Sequence, residues 1–120
     1  MDYQKIGKNI LSGDPGVRFV TIFDTKSDKP VFSQHKPGVV NLLSGKESKQ
    51  SLKLAINAWK KRAKLEPKIG KGKFVLAEYE KIKRITIPMD KNHLLYVTTE
   101  ANCNALNLIA KIKTIQNKNK

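Results

Sequence analysis

Val17-Arg18-Phe19-Val20-Thr21-Ile22-Phe23-Asp24 decides how the rest of the chain must be arranged. Side chains alternate between the two faces of a strand. Here Val17, Phe19, Thr21 and Phe23 fall on one face and Arg18, Val20, Ile22 and Asp24 on the other, so the centre of the strand is apolar on both sides. A strand of that kind belongs inside a sheet covered on both faces, because an exposed face would carry polar residues at every second position. Residues 93–99 repeat the pattern, with Leu94 and Tyr96 on one face and Leu95 and Val97 on the other, and are placed mid-sheet for the same reason.

Working outward, residues 2–11 set Tyr3, Ile6, Ile10 and Leu11 at near-helical spacing before the turn-rich run Ser12-Gly13-Asp14-Pro15-Gly16. After the first strand, residues 25–29 form a polar turn. Residues 30–35 open on Pro30 and alternate in a way that suits an edge strand of a hairpin, ended by Lys36-Pro37-Gly38. Ser44-Gly45-Lys46-Glu47 matches a capping box, in which a serine and a glutamate satisfy free amides reciprocally, and so starts the middle helix at Ser44. Leu52, Ala55, Ile56, Trp59 and Ala63 make its apolar side, with Trp59 read as core, and Pro67 is expected to stop it. Strands are expected at 73–79, 82–88 and 93–99, then a helix over about 102–115 with Ala105, Leu108, Ile109, Ile112 and Ile115 on one stripe.

The predicted fold is α+β: an antiparallel five-stranded sheet with helices on both faces, in the order helix, strand, strand, helix, strand, strand, strand, helix. Residues 1–115 form a single domain and residues 116–120 a flexible basic tail. This element order resembles the roadblock, longin and profilin-like group, which implies that the helices of the two termini cover one face and the middle helix the other. Three stretches are similar to a set of small basic archaeal proteins: Ala58-Trp59-Lys60-Lys61-Arg62 through Lys68-Ile69-Gly70-Lys71-Gly72-Lys73-Phe74, Ala77-Glu78-Tyr79-Glu80-Lys81-Ile82-Lys83-Arg84-Ile85-Thr86, and His93-Leu94-Leu95-Tyr96-Val97-Thr98-Thr99-Glu100. That resemblance implies an archaeal cytoplasm and supplies no activity.

The 120 residues are the length of one domain, and 24 basic against 10 acidic residues give a formal net charge of +14. No apolar run approaches the roughly 20 residues a membrane span needs, so no membrane insertion is expected. The first 13 residues lack the apolar block of a secretory signal. One cysteine, Cys103, excludes an intrachain disulfide and fits a reducing cytoplasm. Charge is concentrated in residues 46–73, where Lys46, Lys49, Lys53, Lys60, Lys61, Arg62, Lys64, Lys68, Lys71 and Lys73 stand against Glu47 and Glu66, or 10 − 2 = +8. Such a surface attracts anionic partners. With Arg62 the only arginine among the ten, it suits non-specific phosphate contact better than bidentate reading of bases.

No residue set carries catalysis. Lys68-Ile69-Gly70-Lys71-Gly72-Lys73 reads as a helix stop or as a phosphate cradle; it is not a nucleotide-binding P-loop, since Gly72-Lys73 is followed by Phe74 and the order is helix then strand. His35 and His93 lack partners at metal-ligand spacing. Cys103 reads as a small buried residue, and Glu78 and Glu80, next to Lys81, Lys83 and Arg84, as cross-strand ion-pair partners. No cofactor and no metal is expected. The leading expectation is a non-enzymatic interaction or regulatory domain of scaffold type, a homodimer through the middle helix or the 73–79 edge, with a cationic helix-loop surface. The alternatives are a sequence-independent nucleic-acid-binding protein and a ligand-sensing module with a pocket between sheet and middle helix, for which no polar cluster is visible in the sequence.

Overall fold

In the computed structural model, which describes residues 2–118, five antiparallel strands form one sheet ordered β2-β1-β5-β4-β3. They are β1 (Val17–Asp24), β2 (Lys29–His35), β3 (Val75–Glu78), β4 (Ile82–Asp90) and β5 (His93–Glu100). The two strands apolar on both faces, β1 and β5, pair with each other, with Thr21 opposite Tyr96 and Phe23 opposite Leu94, and join the two hairpin groups. β2 and β3 are the edges, and Pro30 sits on the β2 edge, where a missing amide is tolerated. β3 is shorter than the expected 73–79, while β4 runs on to Asp90 and leaves a two-residue turn before β5.

The terminal helices share one face. In α1 (Tyr3–Gly13) the Asp2 side chain accepts the Lys5 amide at 3.1 Å, capping the helix start. Ile6, Ile10 and Leu11 of α1 and Leu108, Ile109 and Ile112 of α4 (Ala105–Lys118) close over Val20, Ile22, Ile85, Ile87, Leu95 and Val97. α1 lies so near the sheet that a Cβ on Gly7 would stand 2.4 Å from the Phe32 ring. The start of α4 is later than the expected 102 because Asn104, whose side chain accepts the Asn107 amide at 3.1 Å, takes the capping place. Its end is also later: residues 116–118, read from sequence as tail, are helical, with Gln116 half-buried. Residues 119 and 120 of that expected tail lie outside the described residues.

The middle helix α2 (Gly45–Ala63) covers the opposite face, as the resemblance implied. Its capping box is complete: the Glu47 amide donates to Ser44 Oγ at 3.1 Å and the Ser44 amide to Glu47 Oε1 at 3.0 Å. Of its apolar side, Ile56 is buried against Phe23 and Leu94, whereas Leu52 and Trp59 are only half-buried. Trp59 is thus not a full core residue, because the strand surface beneath α2 carries polar side chains that hold the helix off. Pro67 does not end α2 either. It lies in the first turn of the short α3 (Glu66–Ile69), where the amide it lacks has no helical acceptor to miss.

Candidate functional site

All ten basic residues, Lys46, Lys49, Lys53, Lys60, Lys61, Arg62, Lys64, Lys68, Lys71 and Lys73, are exposed, and among the described residues none of their side chains makes a hydrogen bond or ion pair. Lys46, Lys49, Lys53, Lys60 and Lys64 form one stripe along α2 by helical spacing. Arg62 lies away from it, lining a space between α2 and β3, while Lys71 joins Lys60 on a groove of about 690 Å³ between the α2 C-terminus and the β4–β5 turn. The predicted set is therefore an accessible band around α2 and its following loop and not a single flat face.

The glycine loop is a helix stop. Gly70 has φ 91° and its amide is already donated to the Glu66 carbonyl at 2.8 Å, so it is not free to hold a phosphate. Gly72 passes over Trp59, where an added Cβ would stand 3.2 Å from the indole.

On the other flank of α2, β3 bonds only to β4 and leaves its outer edge open. Large apolar side chains flank this edge on both faces of the sheet: Leu54 of α2 is 72% exposed and Leu76 of β3, on the Ile85 side, 39%, with Phe74 and Tyr79 exposed at the ends of the strand. The Glu78–Lys83 cross-strand pair expected from sequence is present at 3.5 Å, on paired positions.

Beneath α2, the sheet presents Arg84, Thr98 and Phe19 as one cross-strand row and Thr86, Tyr96 and Thr21 as the next. The β1–β5 register shifts between Val17 and Phe19, and Arg18, the extra residue, donates to Glu100 Oε1 at 2.6 Å and to the Val40 carbonyl at 2.5 Å. Arg18 thereby ties the 36–43 connection over a cavity of about 60 Å³, which Arg84 also lines. No sequence motif marks this cluster, since its residues come from β1, β2, α2, β4 and β5.

Sequence reasoning also missed the surroundings of His93. Its Nδ1 lies 2.8 Å from Asp90 Oδ1 and 3.1 Å from the Tyr3 hydroxyl, its Nε2 is 3.9 Å from Asp24 Oδ2, and its ring stacks on Tyr3 at 4.2 Å. Burial would raise the Asp90 carboxyl, but hydrogen bonds from Tyr3, His93 and the Asn92 amide outweigh it and hold the group low. Burial and the Asp90 hydrogen bond push the Tyr3 hydroxyl up to about 12. All four residues sit at strand or helix ends, and Tyr3 and Asp24 were hidden because they lie far from Asp90 and His93 in sequence. Among the described residues there is no group of three or more His, Cys, Asp or Glu placed to hold a metal ion. His35 is exposed, its ring 4.3 Å from Phe19. Cys103 is buried as expected, and burial raises its thiol, the opposite of what a nucleophile needs. No helix among the described residues is long and apolar enough to cross a membrane.

No protein-family model matches the sequence, and no curated protein matches it. Solved structures do. The roadblock/LC7 domain from Streptomyces avermitilis superposes with a TM-score of 0.74 at 10% identity, covering 98% of this chain and 94% of that one. Myxococcus xanthus MglB gives 0.71 at 14% identity, over 98% and 93% of the two chains. MglB in a tetrameric arrangement gives 0.63 at 11%, over 95% and 87%. With the sheet order and the helices on their two faces as described, the chain has the roadblock/LC7 fold.

Proposed function

We propose that the chain is a non-enzymatic interaction domain of regulatory, scaffold type, which works in the cytoplasm as a homodimer and presents the cationic band of α2 and its following loop to an acidic protein partner. The observation that carries self-association is the open β3 edge flanked by Leu54, Phe74, Leu76 and Tyr79, which together offer backbone groups for strand addition and apolar area to cover. Pro30 makes the β2 edge the poorer choice. A fold neighbour in a tetrameric arrangement adds support for assembly of this kind. Sedimentation equilibrium from low to high micromolar concentration should show a dimer, and Leu54→Glu with Leu76→Lys should return it to monomer. A concentration-independent monomer mass for the unaltered chain defeats the reading.

A second reading, sequence-independent nucleic-acid binding, is favoured by one observation: ten exposed cations without an acidic partner among the described residues. If they contact phosphates, unrelated duplexes should bind alike, and log affinity should fall with log salt by about 0.9 per phosphate neutralised. Lys53→Glu with Lys60→Glu should weaken every sequence equally and flatten that slope. Absence of binding to DNA and RNA at low salt removes this reading and leaves the acidic protein surface.

A further inference from the structure

One half-buried cation in the molecule is left short of an acceptor. Arg84 projects from β4 into the layer between sheet and α2, and its Nε is buried with no hydrogen-bond partner. Among the described residues the Arg84 side chain makes no ion pair or hydrogen bond, and the Tyr79 ring lies 5.4 Å from its guanidinium carbon. Arg18, in the same cavity, is already committed to Glu100 and the Val40 carbonyl. A guanidinium nitrogen withdrawn from water without an acceptor is unfavourable, and the planar fork, whose two terminal nitrogens stay open to the surrounding space, is shaped for a carboxylate or phosphate.

The space around Arg84 has two compartments. The smaller one, beneath the 36–43 connection and about 60 Å³, is lined by Arg18, Ser48, Ser51, Arg84 and Tyr96 together with apolar side chains such as Phe19 and Leu43, with the exposed His35 at its rim. A water occupies roughly 10–15 Å³ on this measure, so it has room for the few atoms of an oxyanion. The larger one, about 300 Å³, shares Ser51, Arg84 and Tyr96 and is otherwise walled mainly by apolar and aromatic side chains, Trp59 and Tyr79 among them, with Arg62 and Thr86 as the polar exceptions. Ser51 Oγ and Tyr96 Oη, 3.2 Å apart, stand where the compartments meet, and one hydroxyl proton of that pair can turn to a ligand.

We propose that this space is a binding site for a small amphipathic anion: a carboxylate or phosphate group taken by Arg84 with the Ser51 and Tyr96 hydroxyls, and a flat apolar body lodged against Trp59 and Tyr79. Few convergent polar groups fixing the head, with aromatic walls for the body, is the usual composition of small-molecule sites. The inference is independent of self-association. It rests on the Arg84 Nε, which lacks an acceptor, and on the two adjoining compartments.

Trp59 is the only tryptophan and lines the larger compartment, so its fluorescence reports occupancy directly. The full chain should be titrated with phenyl phosphate and with benzoate, the two arms distinguishing phosphate from carboxylate, and with inorganic phosphate and phenol as head and body alone. At least one of the two complete probes should give a saturable change in Trp59 emission and raise the thermal midpoint. Each half alone should bind more weakly by at least about tenfold, because it fills one compartment. Arg84→Met should abolish that binding, while Lys53→Gln, an equal loss of charge on the exposed stripe, should leave it intact. No saturable response to either complete probe overturns the proposal, as does an equal effect of Arg84→Met and Lys53→Gln, which would mean adsorption to the basic surface. Should Arg84→Met not fold, Ser51→Leu, which blocks the junction from the helix side, must abolish binding, and unchanged affinity in that variant is equally fatal.

Discussion

The two faces of the sheet are built from the same strands and differ at every step. Under α1 and α4 the strands present Val20, Ile22, Ile85, Ile87, Leu95 and Val97, all buried among aliphatic helix residues. One residue along each strand, the other face presents Arg84, Thr86, Tyr96, Thr98, Thr21 and Phe19, and α2 stands off it over two spaces of about 60 and 300 Å³. Strand alternation is what permits this segregation, since neighbouring positions can serve packing and recognition without sharing a side chain. The consequence is that stability should reside on the first face and adaptability on the second.

Ile112→Ala tests the first half of that comparison. This side chain is fully buried in α4 at the centre of the aliphatic core, and its truncation should cost about 3–5 kcal/mol by denaturant unfolding. Ile56→Ala and Trp59→Ala, on the α2 side, should each cost only about 1–2 kcal/mol, because the first sits in a small cluster of Phe23, Ile56 and Leu94 and the second is already partly exposed. Equal losses for Ile112 and Ile56 would break the comparison, and would mean that α2 is docked as firmly as the terminal helices.

The first face was legible in the sequence almost entirely. Two strands apolar on both sides and a period-3.6 stripe in residues 105–112 are local signals, and each reports its own element without needing a partner. Of the second face, the Ser44 box and the apolar side of α2 were legible, but the polar cluster beneath the helix was not. Arg18 and Arg84 stand 66 positions apart, and only the β1–β5–β4 register brings them to one end of the sheet. The same applies to Tyr3, Asp24, Asp90 and His93, which meet only because the ends of α1, β1 and β4 lie beside the start of β5. Helix spacing told which side of α2 is apolar but not how closely that side approaches the sheet, hence the half-exposed Leu52 and Trp59. Pro67 was misread because a proline stops one helix and starts the next with the same lost amide.

A smaller effect sharpens the contrast between helices. Ser44→Ala removes one half of the capping box and should cost about 1 kcal/mol. On a helix as lightly docked as α2, that loss should show as faster hydrogen exchange throughout the first turns of α2, with amides of α4 unaffected. Uniform acceleration in both helices would show instead that the two faces unfold as a single unit.

The smallest expected effect lies where the faces meet. Tyr3 of α1, on the aliphatic side, donates to Asp90 Oδ2 at 2.6 Å and stacks on His93, which also lines the groove on the α2 side. The Tyr3 hydroxyl is raised to about 12 by burial and by Asp90, against roughly 10 in an unfolded chain. Between those values the folded state binds more protons than the unfolded one, so stability falls as pH rises; below pH 10 the contribution is complete. Tyr3→Phe should therefore match the unaltered chain more closely as pH climbs from about 10 to 12. On the acid side the sign reverses. Asp90 is held low in the fold, so its contribution is present above the ordinary carboxylate range and is lost as pH falls through the folded value. Without the Tyr3 donor, one of the groups that lower Asp90 is gone, and the acid limb of Tyr3→Phe should be shallower as well. Parallel stability curves for the two chains at both extremes would mean that solvent, and not the Tyr3–Asp90 hydrogen bond, sets both titrations.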